Sequence, residues 1–206
     1  METPEHRFRS AIARIAERTR GRSPTGVSHD DADETIGSID SDHAAGFDPM
    51  PVLRALSECG APAVVIGQVA GILHGSSELT GDLDLLWSGE PTEMPRMARA
   101  FTSLGARLST DDGVPIADPA AAFELPKVLF ETLSVSGDCC TPRLRWGGMD
   151  VAAFLHRAET TRIDGIVVRY LALGDLIVMR RAAGRPKDLR RAEELEASRR
   201  PGLPGS

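Results

Sequence analysis

Thr80-Gly-Asp-Leu-Asp-Leu-Leu-Trp87 sets two carboxylates two residues apart, with apolar Leu83 and Leu85 alternating with them. On a β-strand, side chains two apart project from the same face. The pattern predicts a strand over 83–87 whose leucines enter the core while Asp82 and Asp84 point together. Two adjacent carboxylates repel, and keeping both ionised requires a counter-charge, a need that Mg²⁺ with its oxygen ligands meets. The plainer alternative is the solvent face of an edge strand. Asp-x-Asp alone is a weak signal, because Asp31-Ala-Asp33 and Asp40-Ser-Asp42 repeat it in an acidic stretch where solvated charge explains it.

Upstream, Val64-Val-Ile-Gly-Gln-Val-Ala-Gly-Ile-Leu-His-Gly75 reads as strand, glycine turn and helix. Ala63–Ile66 is a short apolar run, Gly67 turns the chain, and a helix over 68–74 closes on Gly75. Such a turn aims backbone N–H groups and the positive helix end at an anion. By itself it is common; the acid pair close behind makes it informative. A third acid is expected on a neighbouring strand. Asp150, in Trp146-Gly-Gly-Met-Asp-Val-Ala-Ala-Phe154, reads as a strand acid after a Gly-Gly turn, with a surface acid as the alternative. Asp138 is set aside because its surroundings read as a Gly-containing turn beside the cysteines.

Outward from these stretches, strands and helices alternate, which predicts an α/β or α+β domain. Further helices are expected over 51–59, 92–104, 174–183 and 186–197, and further strands near 130–136, 142–146, 149–153 and 165–171. Residues 108–128 give no clear period. Residues 1–20 read as an amphipathic helical arm, with Phe8, Ile12 and Ile15 at helical spacing. Residues 21–47 read as an acidic flexible linker, 48–198 as the ordered domain and 199–206 as a disordered tail.

The 206 residues are 41% hydrophobic and 26% charged, as in ordinary globular proteins. Aromatics are only 4%, so the core must rest on Leu, Val, Ile and Ala. No apolar run approaches the roughly 18 residues of a membrane span, and residues 1–7 lack the apolar stretch expected of a signal peptide. A cytoplasmic protein without a membrane partner is expected. Cys59, Cys139 and Cys140 lack CxxC spacing and the five histidines are scattered, which argues against a zinc site. The net charge of −6 is misleading, because residues 23–48 hold seven acids and no Lys or Arg. Residues 179–200 carry eight basic and four acidic side chains, and a solvated helix face is a commoner reading than a nucleic-acid surface.

The strand, glycine turn and helix followed by Asp-x-Asp on the next strand resemble the nucleotidyltransferase superfamily. More closely, the chain is similar to the AbiEii/AbiGii-type toxin nucleotidyltransferases. The likeness rests on Val65-Ile-Gly-Gln-Val-Ala-Gly-Ile-Leu-His-Gly75, Thr80-Gly-Asp-Leu-Asp84 and Leu173-Gly-Asp-Leu-Ile-Val-Met-Arg-Arg-Ala-Ala-Gly-Arg-Pro-Lys-Asp-Leu189. It implies a nucleotidyltransferase fold, a small mixed sheet flanked by helices with further helices at the C-terminal end. It also implies transfer of a nucleoside monophosphate from a nucleoside triphosphate to a hydroxyl on RNA or protein, with Mg²⁺ or Mn²⁺ as cofactor. A toxin–antitoxin or phage-defence setting, with a cognate antitoxin, comes with it. By position, Asp82, Asp84 and Asp150 would hold the metal. Gly67, Gln68, Thr80, Arg180, Arg185 and Asp188 would line the nucleotide site. Four positions depart from the family pattern: Gln68 replaces a second small residue, Glu78 stands where Arg is frequent, Arg180 where Lys is usual, and Arg191 where a second Asp is frequent. Gln68 and Glu78 motivate the alternative, a non-catalytic member that binds without turnover.

Overall fold

A mixed eight-stranded sheet forms the body of the computed structural model, which describes residues 2–27 and 39–199. Strand β1 (Val64–Val65) runs into helix α3 (Gly67–His74), and β2 (Asp82–Leu86) returns antiparallel to β1. Among the described residues, α-helices α1 (Pro4–Thr19) and α2 (Met50–Glu58) precede β1, with a 3-10 turn at Asp42–Ala44 between them. After β2 come α4 (Met94–Ser103), the β3–β4 hairpin (Arg107–Ser109, Pro115–Ile116) and short α5 (Pro119–Ala122). A second hairpin follows, β5 (Lys127–Glu131) and β6 (Ser136–Cys140), then α6 (Val151–Arg157) and the β7–β8 hairpin (Glu159–Ile163, Ile166–Tyr170). Helices α7 (Leu173–Ala183) and α8 (Pro186–Arg199) end the described chain. The strand order is β4-β3-β5-β6-β2-β1-β8-β7, with β6 parallel to β2 and β8 parallel to β1. The α/β class expected from the alternating pattern is the class observed.

Registry divides the sheet into two chemically distinct faces. Residues paired across strands point the same way, and every second residue points the other way. Leu83 and Leu85 therefore share a face with Cys139, Val128 and Phe130, all buried. On that side Phe101 packs against Phe123 and Phe130, and Trp87 meets Phe123 edge-on. Four of the nine aromatics thus lie beneath the acid-bearing strand, where ring pairs stabilise by about 1 kcal/mol beyond their burial. The opposite face carries the polar partners of Asp82 and Asp84.

Three strand expectations fail in whole or in part, and residues 130–136 straddle the turn between β5 and β6. Residues 142–146 form no strand; the sixth strand is Ser136-Gly-Asp-Cys-Cys140, whose Gly137-Asp138 reads as a turn. Gly137 is there because a Cβ at that position would lie 1.9 Å from the Leu83 carbonyl oxygen. Its glycine answers a close approach of β2, not a bend in the chain. Residues 149–153, expected as a strand, instead open α6, with Asp150 as the residue that caps it.

The N-terminal residues belong to the same core. Phe8, Ala11 and Ile15 of α1 are buried, and Arg7 Nη1 donates to the Leu73 carbonyl on α3 at 2.8 Å. Ile39, Ala44 and Phe47 are also buried, although composition places them in the expected linker. The middle of that acidic stretch, residues 28–38, and the expected tail from 200 onward lie outside the described residues. Among the described residues, no helix is long and apolar enough to cross a membrane.

Candidate active site

Three rows of side chains cross the polar face of the sheet. Strand pairing sets Asp82 beside Ser136, Glu131 and Arg107 in one row. Asp84 stands beside Asp138, Leu129 and Ser109 in the next. The third row brings Leu86 beside Cys140 and Lys127. Asp138 is therefore the strand acid directly opposite Asp84, and it lines the same cavity as Asp82 and Asp84. Asp150, expected in that role, does not line it. Its side chain accepts from the Ala153 N–H at 3.1 Å and caps α6 at an exposed position. An aspartate before an apolar run suits a helix N-cap as well as a strand, and here the cap prevails.

The acids are crowded. Burial, then the neighbouring Asp82 and Asp138 carboxylates, push Asp84 well above the ordinary carboxylate range, and a hydrogen bond with Asp82 adds to the shift. Asp84 reaches the cavity surface, yet protein atoms hem it closely enough to strip most of its hydration. Burial also raises Asp138, outweighing the opposing pull of Lys127. Thr80 Oγ1 donates to Asp82, and the Cys140 thiol donates to Asp138 at 3.4 Å. The Lys127 ammonium lies 2.7 Å from Asp111 and 3.5 Å from Asp138. Burial opposes its charge, but the bond to Asp111 and the fields of Asp138 and Asp111 outweigh this, so its pKa rises above the ordinary lysine value. Burial, and then Asp138, push the Cys140 thiol far up, so it acts as a donor and not as a thiolate.

Above Asp84 lies the glycine turn. Gly67 has φ +59°, and a Cβ there would fall 1.7 Å from Asp84 Oδ2. Both the left-handed backbone and the space taken by the carboxylate require glycine. Gln68 is 4% exposed and turns its amide away from the turn. Its Nε2 donates to Ser76 Oγ at 3.0 Å and to the Glu78 carbonyl at 2.9 Å, while its Oε1 accepts from Arg180 Nη2 at 2.6 Å. Arg180 also donates to the Gly67 carbonyl at 3.3 Å. Burial and then the charge of Arg191 bring Arg180 down to about 10, still fully protonated at neutral pH. Arg191 Nε bonds Glu78 Oε2 at 2.6 Å, so two of the departures from the family pattern meet as an ion pair. Arg180 Nη1 and Arg191 Nη2 are buried without a hydrogen-bond partner.

Gly67, Gln68, Thr80, Asp82, Asp84, Arg180, Arg185 and Asp188 all line one cavity of about 330 Å³. Arg185 Nε pairs with Asp188 Oδ2 at 2.5 Å on its rim. Within the basic run of α7–α8, Arg185 and Arg191 are thus paired at the cavity, and Arg181 pairs with Glu196 at the surface. Leu144, Trp146 and Met179 supply an apolar side. A second cavity, of about 680 Å³, shares Asp82, Asp84, Lys127 and Asp138 with the first. The acids thus stand in a wall between two spaces. The sequence reading ranks Asp138 behind Asp150 and does not name Lys127. The signal for Lys127 is strand alternation in Lys127-Val-Leu-Phe-Glu131, with Lys127, Leu129 and Glu131 on one face.

The donor set fits a hard divalent cation. Its ligands would be carboxylate oxygens, and burial together with the neighbouring carboxylates leaves Asp84 short of positive charge. As the side chains stand, the described residues contain no group of three or more His, Cys, Asp or Glu drawn together tightly enough to hold a metal ion. The pair Asp82 and Asp84 meets, while Asp138 is turned to Lys127 and Cys140. Two carboxylates with substrate phosphates and water suffice for Mg²⁺. No protein-family model matches the chain, and no curated protein matches it.

Proposed function

We propose that the chain is a nucleotidyltransferase-fold enzyme that moves a nucleoside monophosphate from a nucleoside triphosphate to a hydroxyl, using Mg²⁺ or Mn²⁺. The observation that carries this reading is the carboxylate wall facing buried guanidinium groups across one cavity beneath the Gly67 turn. Polyphosphate carries negative charge that Arg180 and Arg191, each with an unsatisfied buried nitrogen, are suited to accept. Bound at Asp82 and Asp84, the metal would supply charge neutralisation on the phosphates. The chain's own residues do the rest. Gly67 lets the backbone approach the phosphates closely. Thr80 holds Asp82 in orientation. Trp146, whose indole N–H is fixed to the Thr141 carbonyl at 2.9 Å, offers a flat apolar face for the base.

Asp138 replaces Asp150 as the third acid in this reading. Its raised affinity for protons and its place on the shared wall suit it to receive the acceptor's hydroxyl proton. The oxygen bonds the α-phosphorus, the bond to the leaving pyrophosphate breaks, and Arg180 neutralises the charge that leaves. The Glu78–Arg191 pair supports activity despite the departures from the family pattern, because Glu78 is neutralised in place.

Incubation with Mg²⁺ and labelled nucleoside triphosphates tests the reading. Label transfer should fall to background in Asp82→Asn and Asp84→Asn. Nucleotide retained by the wild-type protein without any transfer would point instead to a binding protein, a reading that the Lys127 ammonium beside Asp138 favours.

A further inference from the structure

The larger cavity is the feature that the resemblance does not account for. We propose that it is the acceptor pocket, and that it takes a small hydroxylated amine in place of a polynucleotide end. This rests on the transfer reading of Asp82, Asp84 and Asp138.

Size and position come first. At about 680 Å³ the cavity matches a small organic molecule. Because the two cavities share Asp82, Asp84, Lys127 and Asp138 along their common boundary, a hydroxyl placed at that boundary would lie beside the phosphate, on the side from which it can attack.

Charge comes second. Apart from Asp82 and Asp84, whose charge the metal would take up, its wall carries three carboxylates, Asp111, Glu131 and Asp138, against two permanent cations, Arg107 and Lys127. Both cations are engaged inside the wall: Arg107 lies 2.5 Å from Glu131, and Lys127 bridges Asp111 and Asp138. Nucleic-acid binding draws chiefly on Lys and Arg contacts to phosphate, and this wall has an excess of the opposite sign. An ammonium group meets that excess. Hydroxyls find Ser109 and Ser136, and a carbon skeleton finds Leu129 and Pro115 on the same face. In the reaction, the acceptor oxygen bonds the α-phosphorus, pyrophosphate departs with the bonding electrons, and the hydroxyl proton passes to Asp138.

Glucosamine, glucose, gluconate and a short single-stranded RNA serve as probes, titrated by NMR into the full chain without metal. Glucosamine should shift amides of β3, β5 and β6 saturably, with glucose weaker by about ten-fold and gluconate inert. Ser109→Trp, which fills the pocket from β3, should abolish the shifts. Asp111→Lys, on the exposed hairpin turn, should weaken glucosamine while leaving the fold intact. In a parallel assay with Mg²⁺ and labelled nucleoside triphosphates, glucosamine should accept label. RNA shifting the same amides, or no compound shifting them, overturns the proposal. Binding that obeys Ser109→Trp without label transfer would uphold the pocket and its ligand class, and would sink the transfer reading alone.

Discussion

Arg180 and Arg107 stand on opposite sides of the same carboxylates and are held in opposite ways. Arg180 is 5% exposed, anchored by Gln68 and the Gly67 carbonyl, with one nitrogen unsatisfied. Arg107 is exposed and lies flat against Glu131 on an outer strand. A buried charge lacking a partner is expensive and persists where a ligand completes it. An exposed pair contributes little and can exchange partners freely. On the proposed reading, the smaller cavity would be built in advance for one anionic ligand, whereas the larger one would select by net charge and shape.

The largest effect should come from the wall that both sides share. If Asp138 takes the acceptor proton, Asp138→Asn should lower the transfer rate by roughly 10²–10⁴-fold, the range for losing a positioned base. Asp150→Asn should leave the rate unchanged, since asparagine caps a helix as well as aspartate does. Asp150→Ala should lower stability by about 1 kcal/mol, again without a specific loss of transfer. Equal losses of activity at both positions would return the third acid to the sequence-based choice.

Next is the buried ion pair on the anion side. Arg191→Leu leaves the part-buried Glu78 without its partner, and breaking such a pair costs up to about 3–5 kcal/mol. Exchanging the residues, Glu78→Arg with Arg191→Glu, should recover most of that loss in urea denaturation. A swapped protein no more stable than the single variant would mean that the two side chains are not coupled.

How much of this could be read beforehand depends on whether local chemistry or strand neighbours decide a position. The Gly67 turn and the Asp82/Asp84 strand are legible because each acts through its own few residues: glycine for a left-handed bend, alternation for a half-buried strand. All the nucleotide-side residues carried over by resemblance do meet in one cavity. Asp138 was hidden because Gly137 beside it signals a turn, while the true reason for glycine lies on β2, more than fifty residues away. Gln68 and Glu78 looked like obstacles for the same reason. Their partners, Arg180 and Arg191, come from helices that only the fold brings near.

Asp84→Asn should separate function from stability. The folded-state pKa of Asp84 is raised above its ordinary 3.8, so the folded protein binds the proton more tightly than the unfolded chain does. As pH rises from about 4 through the folded value, wild-type stability falls relative to the variant. Without metal, Asp84→Asn should melt higher at neutral pH, and the difference should vanish below pH 4. Mg²⁺ should narrow the difference by stabilising only the wild type. A variant that melts lower at neutral pH would mean that the carboxylate crowding is not a burden on the fold.

The smallest effect is expected where the comparison began, at Arg107. Its bond and charge interaction with Glu131 raise its pKa, but an exposed guanidinium of this kind is screened by water and salt. Arg107→Ala should move the melting midpoint by no more than roughly 2 °C, and less in high salt. Its influence should appear in acceptor choice instead, because removing it leaves Glu131 uncompensated and makes the larger cavity more negative. Glucosamine should then bind more tightly to Arg107→Ala than to the wild type at low ionic strength, with the gain lost at high salt. Arg180→Gln should do the reverse, weakening nucleotide with no change in glucosamine. If both substitutions altered both ligands alike, the wall would not divide the site into two independently charged halves.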